Sequence, residues 1–281
     1  MYLDLRQKYT SDRHRKIKLL NKLIEKSRDL SVGCDDVFLT KFLSFAKWDV
    51  NKAYESLRRY YDFKAEHPDW LAHHPVEYFR DHFLETRTRF VMPHPDKDGR
   101  PIVIIKSVDA FSKFPNYLQD IIEMDDLVFE SLLLLPRVQR FGITLIFDLN
   151  GMTHNFLRML SPTFARLVNE KNTILPFPCR VIHIIHSGFL MNAAISMVMP
   201  FLSNEFKETI FSHDGKNFNK LREMVGYESL PAEYGGPETN QLDVNLLYNH
   251  IIKHSEYLQN LQNYKKVNVC VKYNSNNNKN K

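Results

Sequence analysis

Gly142-Ile-Thr-Leu-Ile-Phe-Asp-Leu149 is a nearly unbroken apolar run of strand length, opened by glycine and closed around an acid. Runs of this kind, apolar on both faces, belong to parallel sheets covered by helices. Two others match it. Arg100-Pro-Ile-Val-Ile-Ile105 follows the turn signal Asp96-Lys-Asp-Gly99, and Arg180-Val-Ile-His-Ile-Ile185 lies further on. Helical patterns fill the gaps, over about 117–135 and 162–172, and Pro136 should end or kink the first. Strands alternating with helices predict an α/β fold with a mainly parallel sheet and crossover helices.

Upstream, residues 10–75 read as helical. Ile17, Leu20, Leu23 and Ile24 recur at helical spacing, as do Phe38, Phe42 and Phe45 behind the N-cap candidates Asp35-Asp36. Asp49 opens another helix, over 50–66, that stops at His67-Pro68. This divides the chain into a helical module (1–75), a sheet domain (76–237), one amphipathic C-terminal helix (238–264) and an Asn-rich, basic, disordered tail (265–281). The net charge of +5 sits at the ends, since residues 1–30 carry nine Lys/Arg against four acids and residues 265–281 carry five Lys and no acid. Such ends favour transient contact with an anionic membrane surface. No nucleic-acid motif accompanies them, so a nucleic-acid partner is not expected. Cys34, Cys179 and Cys270 are odd in number and far apart, which fits reduced thiols in a cytoplasmic protein. The N-terminus has no signal-like core and no segment is long enough to span a bilayer. A monomer is favoured.

Phe189-Leu-Met-Asn-Ala-Ala-Ile-Ser-Met-Val-Met-Pro-Phe-Leu202 has eleven apolar residues in fourteen, three of them Met. It is too short for a membrane span and too apolar for an ordinary surface helix. It is either a buried core helix or a cover over something apolar. Ile143, Leu145 and Phe147 share one strand face, as do Ile182 and Ile184. A helix over that face would enclose a space lined by aliphatics, Met and Phe.

Catalytic chemistry finds little support. No Gly-x-Ser-x-Gly elbow and no phosphate-cradling glycine motif is present. His183 and His186 stand three apart on a strand and should diverge, which argues against a metal pair. Asp148, at a strand end, reads as a loop organiser, and Asp125-Asp126 as a solvated helix pair. No cofactor and no catalytic residue is expected.

Several further pieces fall in order: Phe42-Leu43, Trp48-Asp-Val-Asn-Lys-Ala-Tyr54, Asp98-Gly-Arg-Pro101, Phe147-Asp-Leu-Asn-Gly151, Ile182-His183, Pro200-Phe-Leu202 and Leu230-Pro-Ala-Glu-Tyr-Gly-Gly236. Together they resemble the CRAL-TRIO lipid-binding family over about residues 30–255, in particular its alpha-tocopherol transfer protein, cellular retinaldehyde-binding protein and clavesin branch. The resemblance implies a non-enzymatic carrier that encloses one hydrophobic molecule between a sheet floor and a mobile lid helix, here about 186–209, and exchanges it between membranes. It implies ligand contacts from Ile143, Leu145, Phe147, Ile182, Ile184, Phe189, Leu190, Met191, Ala194, Met197 and Val198. The branch's phosphoinositide cleft is poorly matched. Arg180, with Lys207 as a neighbour, is basic, but Pro178, Met199, Glu205 and Thr209 stand where basic residues are usual. Glu233 stands where yeast-type phosphatidylinositol carriers have Lys, which favours a neutral cargo of the retinoid, tocol, sterol or carotenoid class. The alternative is a phosphoinositide-binding trafficking adaptor of the clavesin type.

Overall fold

A computed structural model describes residues 2–106, 112–152, 161–213 and 217–267, without the side chains of 2–10, 190 and 191. The central sheet has five strands in the order β2 (Arg89–Val91), β3 (Ile102–Lys106), β4 (Ile143–Asp148), β5 (Arg180–Ile185) and β6 (Ile210–His213). The first pair is antiparallel and the other three are parallel. The expected strands over 100–105, 142–149 and 180–185 are β3, β4 and β5. The edge strands β2 and β6 are only three and four residues long and carry too short a pattern to be read.

The N-terminal helices are α1 (Tyr2–Lys26), α2 (Asp36–Phe45) and α3 (Val50–Glu66), followed by the short α4 (Arg80–Thr86). Asp35 and Asp49 cap α2 and α3 by accepting from the amides of Phe38 and Lys52. Phe38, Leu39, Phe42, Leu43, Leu57 and Tyr61 make one buried face that is continuous with the sheet core.

Helix α5 (Tyr117–Leu132) ends one turn before the expected 135, and α6 (Pro136–Phe141) then begins with Pro136 in its first turn, where its missing N–H costs nothing. Gly142 takes φ +82 as the chain turns into β4, and a Cβ there would lie 1.9 Å from the Cys179 carbonyl oxygen. Helix α7 (Pro162–Ile174) leads to β5, and Ser161 caps it through the Phe164 amide. Next come α8 (Phe189–Val198), α9 (Asn204–Lys207) and α10 (Asn219–Val225).

The single C-terminal helix expected over 238–264 is two, α11 (Val244–Lys253) and α12 (Ser255–Asn263), broken at His254. Strand β7 (Lys265–Lys266) then pairs antiparallel with β1 (Leu30–Ser31), so the first two residues assigned to the disordered tail are strand. The remainder of that tail, 268–281 with Cys270, lies outside the described residues.

Candidate functional site: an apolar cavity with charged walls

A cavity of about 280 Å³ lies between the sheet and two helices. Leu145 and Phe147 of β4, Leu149 just beyond its end and Ile182 of β5 form its floor, on one face by the two-residue period of a strand. Ile121, Ile122 and Phe129 of α5 wall one side, and Phe164 and Val168 of α7 the other. Trp70 and Phe164 meet at 5.5 Å, and Phe129 meets Phe177 edge-on at 6.0 Å, which fixes four aromatic rings around the space.

Three cations also reach this wall. Arg89, 1% exposed, grips Asp125 of α5 with Nε to Oδ1 at 2.6 Å and Nη2 to Oδ2 at 3.1 Å. Lys171 of α7 pairs with Asp126 at 2.7 Å and donates to the Trp70 carbonyl at 2.6 Å. Asp126 also accepts from the Ala72 amide at 3.0 Å. The expectation that Asp125-Asp126 is solvated is therefore corrected. Each carboxylate leaves α5 on a different bearing and neutralises a cation brought from another element. Arg180 donates from Nη2 to the Asn172 carbonyl and lies over the Phe177 ring at 5.6 Å. Burial pulls its guanidinium down to about 10, so it stays charged at neutral pH.

A sequence model of the CRAL/TRIO domain matches residues 86–236, more than half of the chain and the whole of this cavity's floor. The chain belongs to the CRAL/TRIO family. It is similar to clavesin-2 of Homo sapiens, 26% identical over 208 residues that cover 72% of this chain and 62% of clavesin-2. It is also similar to alpha-tocopherol transfer protein-like of Homo sapiens, 25% identical over 228 residues that cover 80% of this chain and 65% of that one. The chain thus spans less than two thirds of either relative's length. A crystal structure of Sfh5 aligns with a TM-score of 0.46 at 12% identity, over 79% of this chain and 81% of that chain.

Within this CRAL/TRIO domain, three of the residues expected to hold a ligand, Leu145, Phe147 and Ile182, line the cavity. Ile143 is on the same strand face but fully buried beyond the cavity's end. Ile184 faces the same side and belongs to a second, smaller cluster. There Ala194 and Ile195 of α8 pack on Phe147, Leu149, Met152 and Ile184. Among the described residues no α8 side chain lines the cavity. Phe189 is 91% exposed and Met197 74%, and Val198 is half-buried outside the wall. The side chains of Leu190 and Met191 lie outside the described residues.

Trp70, Phe164, Val168, Phe177 and the Arg89–Asp125 pair escape the sequence reading. The aromatic and aliphatic positions of α7 recur at helical spacing and are legible as an apolar face, but which face opens on a cavity is not. The resemblance implies a basic surface cleft for Arg180, whereas its half-buried side chain lines the cavity. Lys207, half-buried at the end of α9, lies outside that wall.

The segment entering α8 is anchored by Asp148. Its Oδ1 accepts from the Asn150 amide at 2.9 Å and pairs with His186 Nδ1 at 2.7 Å, while Oδ2 accepts from Tyr234 at 2.7 Å. His186 has φ +54, a left-handed conformation that these contacts hold. Asp148 organises the loop, as its strand-end position predicts. His183 points to the opposite face of the sheet. It is buried 2.9 Å from His213 Nε2, and burial, with His213 beside it, pulls it down to about 3. Among the described residues, Glu66, His67 and Glu170 alone have metal-ligand spacing, with ligand atoms within 4.8 Å, and they stand outside the cavity wall. Also among the described residues, no helix is long and apolar enough to cross a membrane.

Proposed function

We propose that this CRAL/TRIO chain is a non-enzymatic carrier that holds one hydrophobic molecule in the cavity between β4–β5 and α5–α7 and exchanges it at membranes. The observation that supports this most directly is a partly open, almost wholly apolar space in a chain that has abundant residues to fill it. Packing normally closes such voids, so one that persists between well-formed elements is a site for something that enters from outside. Helix α8, packed beside the cavity on Phe147 and Leu149, is the element that moves during exchange. It begins behind the His186 hinge at Gly188, which offers its amides no side-chain cap, and Ala194 is its one deeply buried side chain among those described. Its exposed Phe189 and Met197 are the groups that meet the bilayer, and the Lys/Arg-rich α1 adds an electrostatic tether to an anionic leaflet. The protein then works at cytoplasmic membrane faces.

The expected preference for a neutral cargo rests on Glu233. That carboxylate pairs with Lys106 at 2.8 Å and stands outside the cavity wall, so it does not decide cargo charge. The adaptor reading has less support. Arg180 is turned into the cavity, and Lys207 is flanked by the exposed Glu205 and Glu208.

The test is to expose the purified full chain to vesicles made from a total cellular lipid extract and re-isolate it for native mass spectrometry. One apolar molecule per chain, chemically unchanged and delivered to fresh vesicles, is expected. An empty protein, or a lipid recovered in altered form, would contradict the carrier reading.

A further inference from the structure

We infer that the cavity's cargo is a single-chain amphiphile bearing one carboxylate, with its head group on Arg180 and its chain along Leu145, Phe147, Ile182 and Val168. This rests on the carrier reading above and narrows it to a chemical class.

The inference follows from how charge is distributed around an otherwise apolar space. Arg89 is spent. Two of its nitrogens hold Asp125, and Nη1 points at the carbonyls of Thr88 and Lys106. Lys171 is spent on Asp126 and the Trp70 carbonyl. Arg180 differs from both. Its bonding partner is a neutral carbonyl, that of Asn172, and its face rests on Phe177. Among the described residues no carboxylate lies within ion-pair distance of it, and its Nε and Nη1 have no protein acceptor. Arg180 is half-buried at the cavity wall with these two nitrogens open to solvent, so an anion entering the cavity can be met by an unneutralised cation without displacing a protein carboxylate. The remaining N–H groups of the fork match the two oxygens of a carboxylate.

The magnitude of the charge selects among anions. One uncompensated positive charge balances one negative one. A phosphoinositide head group carries several, and the other cations that could answer it are already neutralised by Asp125 and Asp126. The space selects among chains. A cavity of about 280 Å³ is at the small end of ligand sites, which run from about 300 to 1,000 Å³, and suits one chain better than the two of a phospholipid. Burial also leaves the guanidinium protonated at neutral pH, so the charge is present when a ligand arrives.

The experiment compares cis-parinaric acid with the alcohol of the same chain, at a pH where the acid is ionised. Each is titrated into the full chain and into Arg180→Met, and read by the fluorescence gained on leaving water. Wild type should bind the acid at least about tenfold more tightly than the alcohol, a difference of about 1.4 kcal/mol. Arg180→Met should lose that preference, its affinity for the acid falling to near its affinity for the alcohol. Equal affinities in wild type, or an unchanged acid preference in Arg180→Met, would overturn the inference while leaving the carrier reading intact. Failure of wild type to bind either probe would overturn both. The wild-type comparison decides by itself should Arg180→Met not fold, and Arg180→Lys, which keeps the charge but not the fork, should show an intermediate preference.

Discussion

Strand β4 and helix α8 are both written almost entirely in apolar residues, yet the structure treats them in opposite ways. Every residue of Ile143–Asp148 is buried except the half-buried Phe147. In Phe189–Val198, Ala194 is buried among the described side chains while Phe189 and Met197 stand in solvent. Apolar composition states that a segment must be covered by something; it does not state that the cover belongs to the same chain. For β4 the cover is α5, α7 and the neighbouring strands. For α8, if the protein is a carrier, it is a membrane during exchange.

The sharpest way to break this comparison is to disturb the fixed side and see whether it behaves as core. Glu130 of α5 is buried between Lys41 Nζ at 2.9 Å and the Tyr60 hydroxyl at 2.7 Å, and ties the N-terminal helices to the sheet domain. Glu130→Leu strands the Lys41 charge and should cost about 3–5 kcal/mol in denaturant unfolding. A cost below about 1 kcal/mol would mean that the N-terminal module is not locked to the domain. Next in size is Ile182→Trp, which fills the cavity from its floor. Uptake of lipid from vesicles should fall about a hundredfold in a protein that still unfolds cooperatively; retained uptake would place the ligand elsewhere.

The covering side should behave in reverse. Phe189→Asp together with Met197→Asp should change stability by less than about 0.5 kcal/mol, as for exposed positions, while slowing transfer between vesicles about tenfold. If the double variant loses 2 kcal/mol or more and transfers normally, α8 is core and the comparison fails. A last effect is read in pH and concerns His183. Its proton affinity is depressed in the fold to about 3 from an ordinary 6.5, so the unfolded chain binds the proton first. Stability from this site is full above about pH 6.5 and is lost progressively as pH falls toward 3. Thermal unfolding of His183→Asn should therefore decline less steeply over that window than wild type, and an identical slope would show that His183 does not titrate differently in the two states.

The sheet is legible in the sequence because its three central strands are covered on both sides and read as continuous β-branched runs. Strands β2 and β6 are hidden, being too short for any pattern; they exist because a longer neighbour offers an edge. Helix α8 is legible as unusual, since an apolar helix with no polar face has few explanations. The place of the cavity is not legible. Leu145, Phe147 and Ile182 can be put on one face by alternation, but the wall opposite comes from Phe164, Val168 and Trp70, brought there by tertiary packing between segments far apart in the chain. Arg180 shows the limit most clearly. Alternation puts it on the face of Ile182 and Ile184, but that this end of the face opens on the cavity is set by the packing of α5 and α7 over it.

The central claim is that the ligand lies between β4–β5 and α5–α7 and not beneath α8. The direct measurement is photolabelling of the full chain with a long-chain alcohol that carries a diazirine on its tail, followed by peptide mapping. Label is expected on residues of α5 and α7, above all near Phe164 and Val168, and should be lost in Ile182→Trp. Label confined to Phe189–Val198, and unchanged in Ile182→Trp, would contradict the claim.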